Sequence, residues 1–222
     1  MTWASHRLST MINQLAAKVS HLLAVATLFG DLAILMPLVA LTTMWLVARI
    51  SRASAVWWLI AVGYCIGLTA TVKVAFVGCP PITDLHSPSG HTSFSTLVYG
   101  AITWILARES TGLRRVLAVV MGSGLIIAIA ASRTILQAHS AREVYFGLAI
   151  GLISLCLFIQ GWRRDPYIEI QPSGAARIFT PPVGLPVVGT LGLALLGWNL
   201  NHYPEPFLRT LSFLFYPHIG CG

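Results

Sequence analysis

The chain has 222 residues, 56% of them hydrophobic and only 9% charged, and carries a net charge of +7. Soluble domains carry about 25% charged residues, so this composition excludes a soluble globular protein and indicates one membrane-embedded unit over residues 1–222. The basic residues fall in short loops between apolar runs instead of forming one patch, which excludes a nucleic-acid-binding surface.

Residues 1–30 form an N-terminal segment. Within it Leu8, Met11, Ile12, Leu15, Val19, Leu22, Leu23 and Ala26 recur at helical spacing, with Asn13, Gln14, Lys18 and His21 on the other side. This pattern predicts an amphipathic helix over 8–28 that lies in the membrane interface. No apolar run precedes a small-residue cleavage site there, so a cleavable signal peptide is not expected. Gly30-Asp31 breaks the run. A helical core follows over 31–200, with spans expected near 32–48, 56–77, 92–107, 116–136 and 144–162. A sixth apolar stretch lies near 183–200, and a tail covers 201–222. The expected fold is all-α: a polytopic transmembrane bundle of five to six helices with an N-terminal amphipathic helix. Of four cysteines, Cys65 and Cys156 sit in apolar runs as small core residues. Cys79 and Cys221 fall on one side of the membrane, where a bridge is possible.

Loop charge sets the orientation. Arg49 and Arg52 share one loop, Arg108, Arg114 and Arg115 the next on that side, and Arg163, Arg164 and Arg177 the third. That face is assigned to the cytoplasm. The opposite rim receives the loop 78–91, the segment 137–143 and the tail.

Two strings on that rim carry the chemistry. Pro88-Ser89-Gly90-His91 opens the third span. It reads as a helix cap. It reads equally as an anion site, in which free N–H groups meet a phosphate, glycine allows close approach, Ser89 donates its hydroxyl and His91 serves as a general acid. Ser132-Arg133 closes the fourth span, and His139 and Glu143 follow, four residues apart. Arg133 offers bidentate contacts to phosphate. Glu143 can fix the His139 tautomer and leave the other ring nitrogen nucleophilic. Ser140-Ala141-Arg142-Glu143 also reads as a capping box that would turn Glu143 back on the helix start. Lys73, near the end of the second span, is either a snorkelling lysine or a cation held for an anion, and Arg142 is a rim charge. His86, His91 and His139 share the rim, but no close His or Cys pair has the spacing of metal ligands, so no metal is expected.

These residues resemble the type 2 phosphatidic acid phosphatase family, the membrane relatives of vanadium haloperoxidases, over about residues 73–143. The family pattern is Lys-x6-Arg-Pro, then Pro-Ser-Gly-His, then Ser-Arg-x5-His-x3-Asp. Here the second string is complete. The third is complete except that Glu143 replaces aspartate. In the first, Lys73 and Pro81 are in register and Pro80 stands in place of arginine. The resemblance implies that His139 attacks phosphorus to form a phosphohistidine, Glu143 orients it and His91 protonates the leaving group. Lys73, Ser89, Gly90 and Arg133 would then bind the phosphoryl oxygens, with no metal or other cofactor. It implies a lipid phosphatase of the cytoplasmic (inner) membrane, acting at its periplasmic or extracytoplasmic face on an isoprenoid diphosphate, phosphatidic acid, phosphatidylglycerol phosphate or a lipid A phosphate. A phosphotransferase with the same intermediate, a non-catalytic lipid-binding relative and a small transporter are the alternatives. Transporter sites sit near the bilayer midplane, whereas these reactive residues lie at helix ends.

Overall fold

A computed structural model describes residues 3–78 and 87–166. Six helices follow in chain order: α1 (Trp3–Leu28), α2 (Leu32–Arg49), α3 (Arg52–Gly78), α4 (Gly90–Glu109), α5 (Gly112–Ile135) and α6 (Ala141–Arg163). Ser9–Leu28 in α1, Leu32–Arg49, Arg52–Phe76 in α3, Gly112–Ile135 and Ala141–Arg163 are each long and apolar enough to cross a membrane. The protein is therefore a multi-pass membrane protein, and the expected all-α bundle is present. The N-terminal segment is helical and runs along α5. The 183–200 stretch, Cys79, Pro80, Pro81, His86, Arg177 and Cys221 lie outside the described residues.

Local chemistry sets the boundaries. Asp31 caps α2 by accepting from the Ala33 N–H at 3.0 Å, Ser89 caps α4 and Ser140 caps α6 within a capping box.

Helix α4 is the centre of the bundle. It is buried continuously from Thr92 to Ala101 and packs most extensively against α5 and α6. Its first turns, Thr92-Ser93-Phe94-Ser95-Thr96, are rich in hydroxyls, and these turn inward to backbone carbonyls: Thr96 Oγ1 donates to the Thr92 carbonyl at 2.6 Å and Ser93 Oγ to the Gly90 carbonyl at 3.1 Å. Enclosure by protein lets so polar a helix lie at membrane depth. Close approach to α6 depends on two glycines one turn apart. A Cβ on Gly147 would stand 2.6 Å from the Ser89 carbonyl oxygen, and one on Gly151 would stand 2.5 Å from that of Ser93. Helices α5 and α6 scarcely touch one another. Between them, floored by α4, a mainly apolar cleft of about 450 Å³ runs past Thr96, Ile127, Leu148 and Leu152 to Arg115.

The arginine-bearing end is closed by aromatic and polar contacts. Trp58, Trp104, Phe158 and Trp162 meet edge to face, with centroids 5.2–6.0 Å apart. Buried Asp165 accepts from Ser51 Oγ and, at 2.6 Å, from Ser54 Oγ, tying the end of α6 to the α2–α3 turn. Cys65 is buried as expected, whereas Cys156 faces outward, because α6 turns only one side to α3 and α4.

Candidate functional site

The opposite end of the bundle collects the C-terminal part of α3, the N-terminus of α4, the C-terminus of α5 and the N-terminus of α6. The chain after α5 folds back on its own helix. The N–H groups of Ala138 and His139 both donate to the Arg133 carbonyl at 3.0 Å. Gln137 takes the left-handed conformation, with φ 56°, that lets the backbone reverse. The five residues between Arg133 and His139 thus form one turn that returns the histidine over the arginine.

Glu143 joins three elements. Its Oε2 lies 3.0 Å from His139 Nδ1 and accepts from the Ser140 N–H at 3.0 Å. Its Oε1 accepts from the Ser87 N–H at 2.8 Å, and its main-chain carbonyl accepts from the Ser89 N–H at 3.0 Å. The two sequence readings of Glu143, capping residue and histidine partner, are therefore both realised by one carboxylate. It is 6% exposed, so its charge acts with little solvent screening. With Nδ1–H donating to the carboxylate, His139 presents its Nε2 lone pair away from Glu143.

His139 lies between the membrane-spanning helices, and its imidazolium is disfavoured. Burial is the main cause, reinforced by the charges of Arg133 and Lys73 and opposed by Glu143, so its pKa falls below the ordinary histidine value. At neutral pH the ring is uncharged. His91, half-buried on the first turn of α4, lies in the field of Arg133, Asp31, His139 and Lys73. Two histidines and two fixed cations, drawn from four segments, thus share one small region.

Ser89 is fully buried, and its Oγ accepts from Thr92 Oγ1 at 3.0 Å and from the Thr92 N–H at 3.4 Å. The hydroxyl keeps its own hydrogen for donation. Gly90 is open: a Cβ there would meet only Thr69 Cγ2, at 3.9 Å. Neither crowding nor a positive φ requires glycine at this position, and its half-buried backbone lies at a helix N-terminus, where an anion is favoured.

The seven site residues expected from sequence, Lys73, Ser89, Gly90, His91, Arg133, His139 and Glu143, all lie at this end of the bundle. Sequence reasoning missed four others. Ser87 and Thr92 hold Glu143 and Ser89, while Thr27 comes from the last turn of α1 and Asp31 from the turn that follows it. The Gly30-Asp31 break marked that turn, and an α2 that ends among the arginines must begin on the opposite face. Together they place it here.

Residues 69–166 match the family model described as the PAP2 superfamily. The chain is 30% identical, over 195 residues, to a Klebsiella pneumoniae protein described as an uncharacterized 22.5 kDa protein in the cps region. The match covers 82% of this chain and 93% of the relative. No solved structure matches the chain.

Proposed function

We propose, for a chain that belongs to the PAP2 superfamily and is accordingly a multi-pass membrane phosphatase, that it hydrolyses a lipid phosphate or diphosphate through a phosphohistidine on His139. The observation that carries this reading is the His139–Glu143 pair, 3.0 Å apart, set beside Arg133, Lys73 and the N-terminus of α4.

The first step forms a bond between His139 Nε2 and phosphorus and breaks the bond from phosphorus to the leaving oxygen, which takes a proton from His91. Water then attacks the phosphohistidine and gives its proton to His91. The N–P bond breaks, and inorganic phosphate and the free imidazole are restored. Lys73, Arg133, Ser89 Oγ–H and the Gly90 backbone hold the phosphoryl oxygens and stabilise the charge that builds on them. This cationic set supplies the electrostatic role that a metal plays elsewhere, so the reaction is metal-independent.

The membrane topology supports a lipid substrate. Reactive groups at the helix ends meet a headgroup at the bilayer surface, while an apolar tail lies beside the helices. Arginine-rich turns at the far end support an active site on the extracytoplasmic face of the cytoplasmic membrane. Family analogy ranks an isoprenoid diphosphate first, ahead of phosphatidic acid, phosphatidylglycerol phosphate and a lipid A phosphate.

The test is phosphate release from these lipids by the purified protein, with and without chelator. The wild type releases phosphate in both conditions, and His139→Ala is slower by ~100-fold or more, since loss of a nucleophile removes several kcal/mol of transition-state stabilisation. Equal rates for the two proteins would reject His139 as nucleophile. Release abolished by chelator would reject metal independence.

A further inference from the structure

We propose that Thr27, in the last turn of α1, is a positioning residue that holds the Arg133 guanidinium where the phosphoryl group binds. The inference rests on the phosphate-site reading above. It extends the site to a segment outside residues 69–166, the region that the family model matches.

Thr27 Oγ1 accepts from Arg133 Nη1 at 3.3 Å and lies 3.0 Å from Ser132 Oγ, whose single hydroxyl hydrogen is shared with the Ile129 carbonyl at 2.7 Å. One hydroxyl thus grips consecutive residues of the Ser-Arg string. Arginine is long and rich in rotamers, and fixing it before an anion arrives removes an ordering cost from binding. Nη1 is one of the fork donors that phosphate recognition uses. An anchor on it selects which face of the guanidinium is offered to the ligand.

The turn that follows Thr27 is itself fixed from several directions. Tyr99 of α4 donates its hydroxyl to the Phe29 carbonyl at 2.8 Å. Gly30 donates to the Thr27 carbonyl at 3.0 Å, and Asp31 caps α2. Gly30 is wedged into the bundle: a Cβ there would stand 2.9 Å from Ile129 of α5 and 3.4 Å from the Cβ of His91. The α1–α2 turn therefore packs directly on the first turn of α4 and the last turns of α5, the two elements that carry His91 and Arg133. It also brings the Asp31 carboxylate into the field of His91, alongside Arg133, His139 and Lys73. A turn that only joined two helices would need neither a hydroxyl aimed at an arginine nor a glycine pressed against a histidine.

The experiment measures binding of inorganic phosphate to the detergent-solubilised full-length protein by titration calorimetry, with thermal stability and lipid-phosphate kinetics beside it. Thr27→Val keeps the shape and removes the acceptor. Its phosphate dissociation constant rises by about 5–10-fold, the scale of one lost hydrogen bond of ordinary strength, and its KM rises in step, while its Tm stays close to that of the wild type. Thr27→Ser restores binding to within about 2-fold. In an Arg133→Ala background Thr27→Val has no further effect on phosphate binding, because the group that it positions is gone. Unchanged phosphate binding by Thr27→Val overturns the inference alone. So does a Thr27→Ser protein as weak as Thr27→Val, which would assign the effect to methyl packing. Absence of both phosphate binding and lipid hydrolysis in the wild type removes the reading of the site, and the inference with it. If Thr27→Val does not fold, Tyr99→Phe loosens the same turn without touching Thr27; weaker phosphate binding in that variant supports the inference, and unchanged binding overturns it.

Discussion

Glu143 touches His139 with the same carboxylate oxygen that caps its own helix: Oε2 lies 3.0 Å from His139 Nδ1 and 3.0 Å from the Ser140 nitrogen, while Oε1 reaches Ser87. A helix start, a histidine tautomer and the approach to α4 are thereby tied to one charged group.

Substitution at Glu143 consequently affects both rate and stability. Glu143→Gln keeps the size but loses the charge that stabilises the imidazole when it develops positive character, and kcat falls about 10²–10³-fold. Glu143→Ala also leaves the Ser87 and Ser140 N–H groups without this acceptor and lowers stability by about 1–3 kcal/mol. Glu143→Asp is one methylene shorter. It keeps the negative charge that Gln lacks, so kcat falls less than for Gln. Steady-state kinetics and thermal melts of the three variants check the order. A Gln variant as active as the wild type rejects the orienting role.

The pH dependence follows from His139. Burial, Arg133 and Lys73 hold its pKa below the ordinary value, near 6.5, so the neutral ring persists into mild acid. The acidic limb of kcat/KM lies below pH 6.5. Arg133→Ala removes one of the causes and moves that limb upward toward 6.5, whatever it does to the maximum. The sign for stability is the same. Between the lowered folded pKa and 6.5 the unfolded chain binds more protons, so His139 makes stability fall as pH drops below 6.5. A pH–rate profile of the wild type and of Arg133→Ala tests the first statement, which an acidic limb above pH 6.5 in the wild type contradicts, and thermal melts between about pH 5 and 7 test the second.

Gly147 lies where a Cβ would stand 2.6 Å from the Ser89 carbonyl oxygen, a backbone atom that cannot rotate aside. Gly147→Ala therefore forces α6 away from α4 and costs about 1–3 kcal/mol. It also strains the bond from the Ser89 N–H to the Glu143 carbonyl, so activity falls together with Tm. Gly90→Ala is the opposite case. A Cβ there meets open space but for Thr69 Cγ2 at 3.9 Å, so the fold is retained while an added methyl obstructs the phosphate, raising KM by about 10-fold. Thermal melts and kinetics of the pair separate a packing glycine from an access glycine.

Much of this arrangement was legible in the chain. Apolar runs gave the bundle, and the arginine turns put Lys73, Gly90, Arg133 and His139 at one end, because spans alternate in direction. Spacing also identified the histidine–carboxylate pair, since residues four apart meet at a helix start. What escaped were contacts that depend on how helices lie against one another. Nothing in Thr27 distinguishes it from a surface threonine until α1 is laid along α5. Gly147 and Gly151 read as ordinary glycines in an apolar helix until their distances to α4 are known. The hydroxyls of Thr92, Ser93 and Thr96 looked like the start of one more span and proved to be its most enclosed part.

That enclosed helix has a consequence for how the protein enters the bilayer. The first turns of α4 carry several hydroxyls, and among the described helices with spanning length α4 alone falls short of the apolarity of the others. Lipid is a poor environment for such a segment, so α4 does not settle there as an independent insertion unit. Its cover in the bundle comes chiefly from α5 and α6. The two strings that flank the site, at the start of α4 and the end of α5, come together only when that cover is complete. A chain in which α5 and α6 have not yet closed on α4 therefore lacks the assembled cluster of Lys73, His91, Arg133, His139 and Glu143.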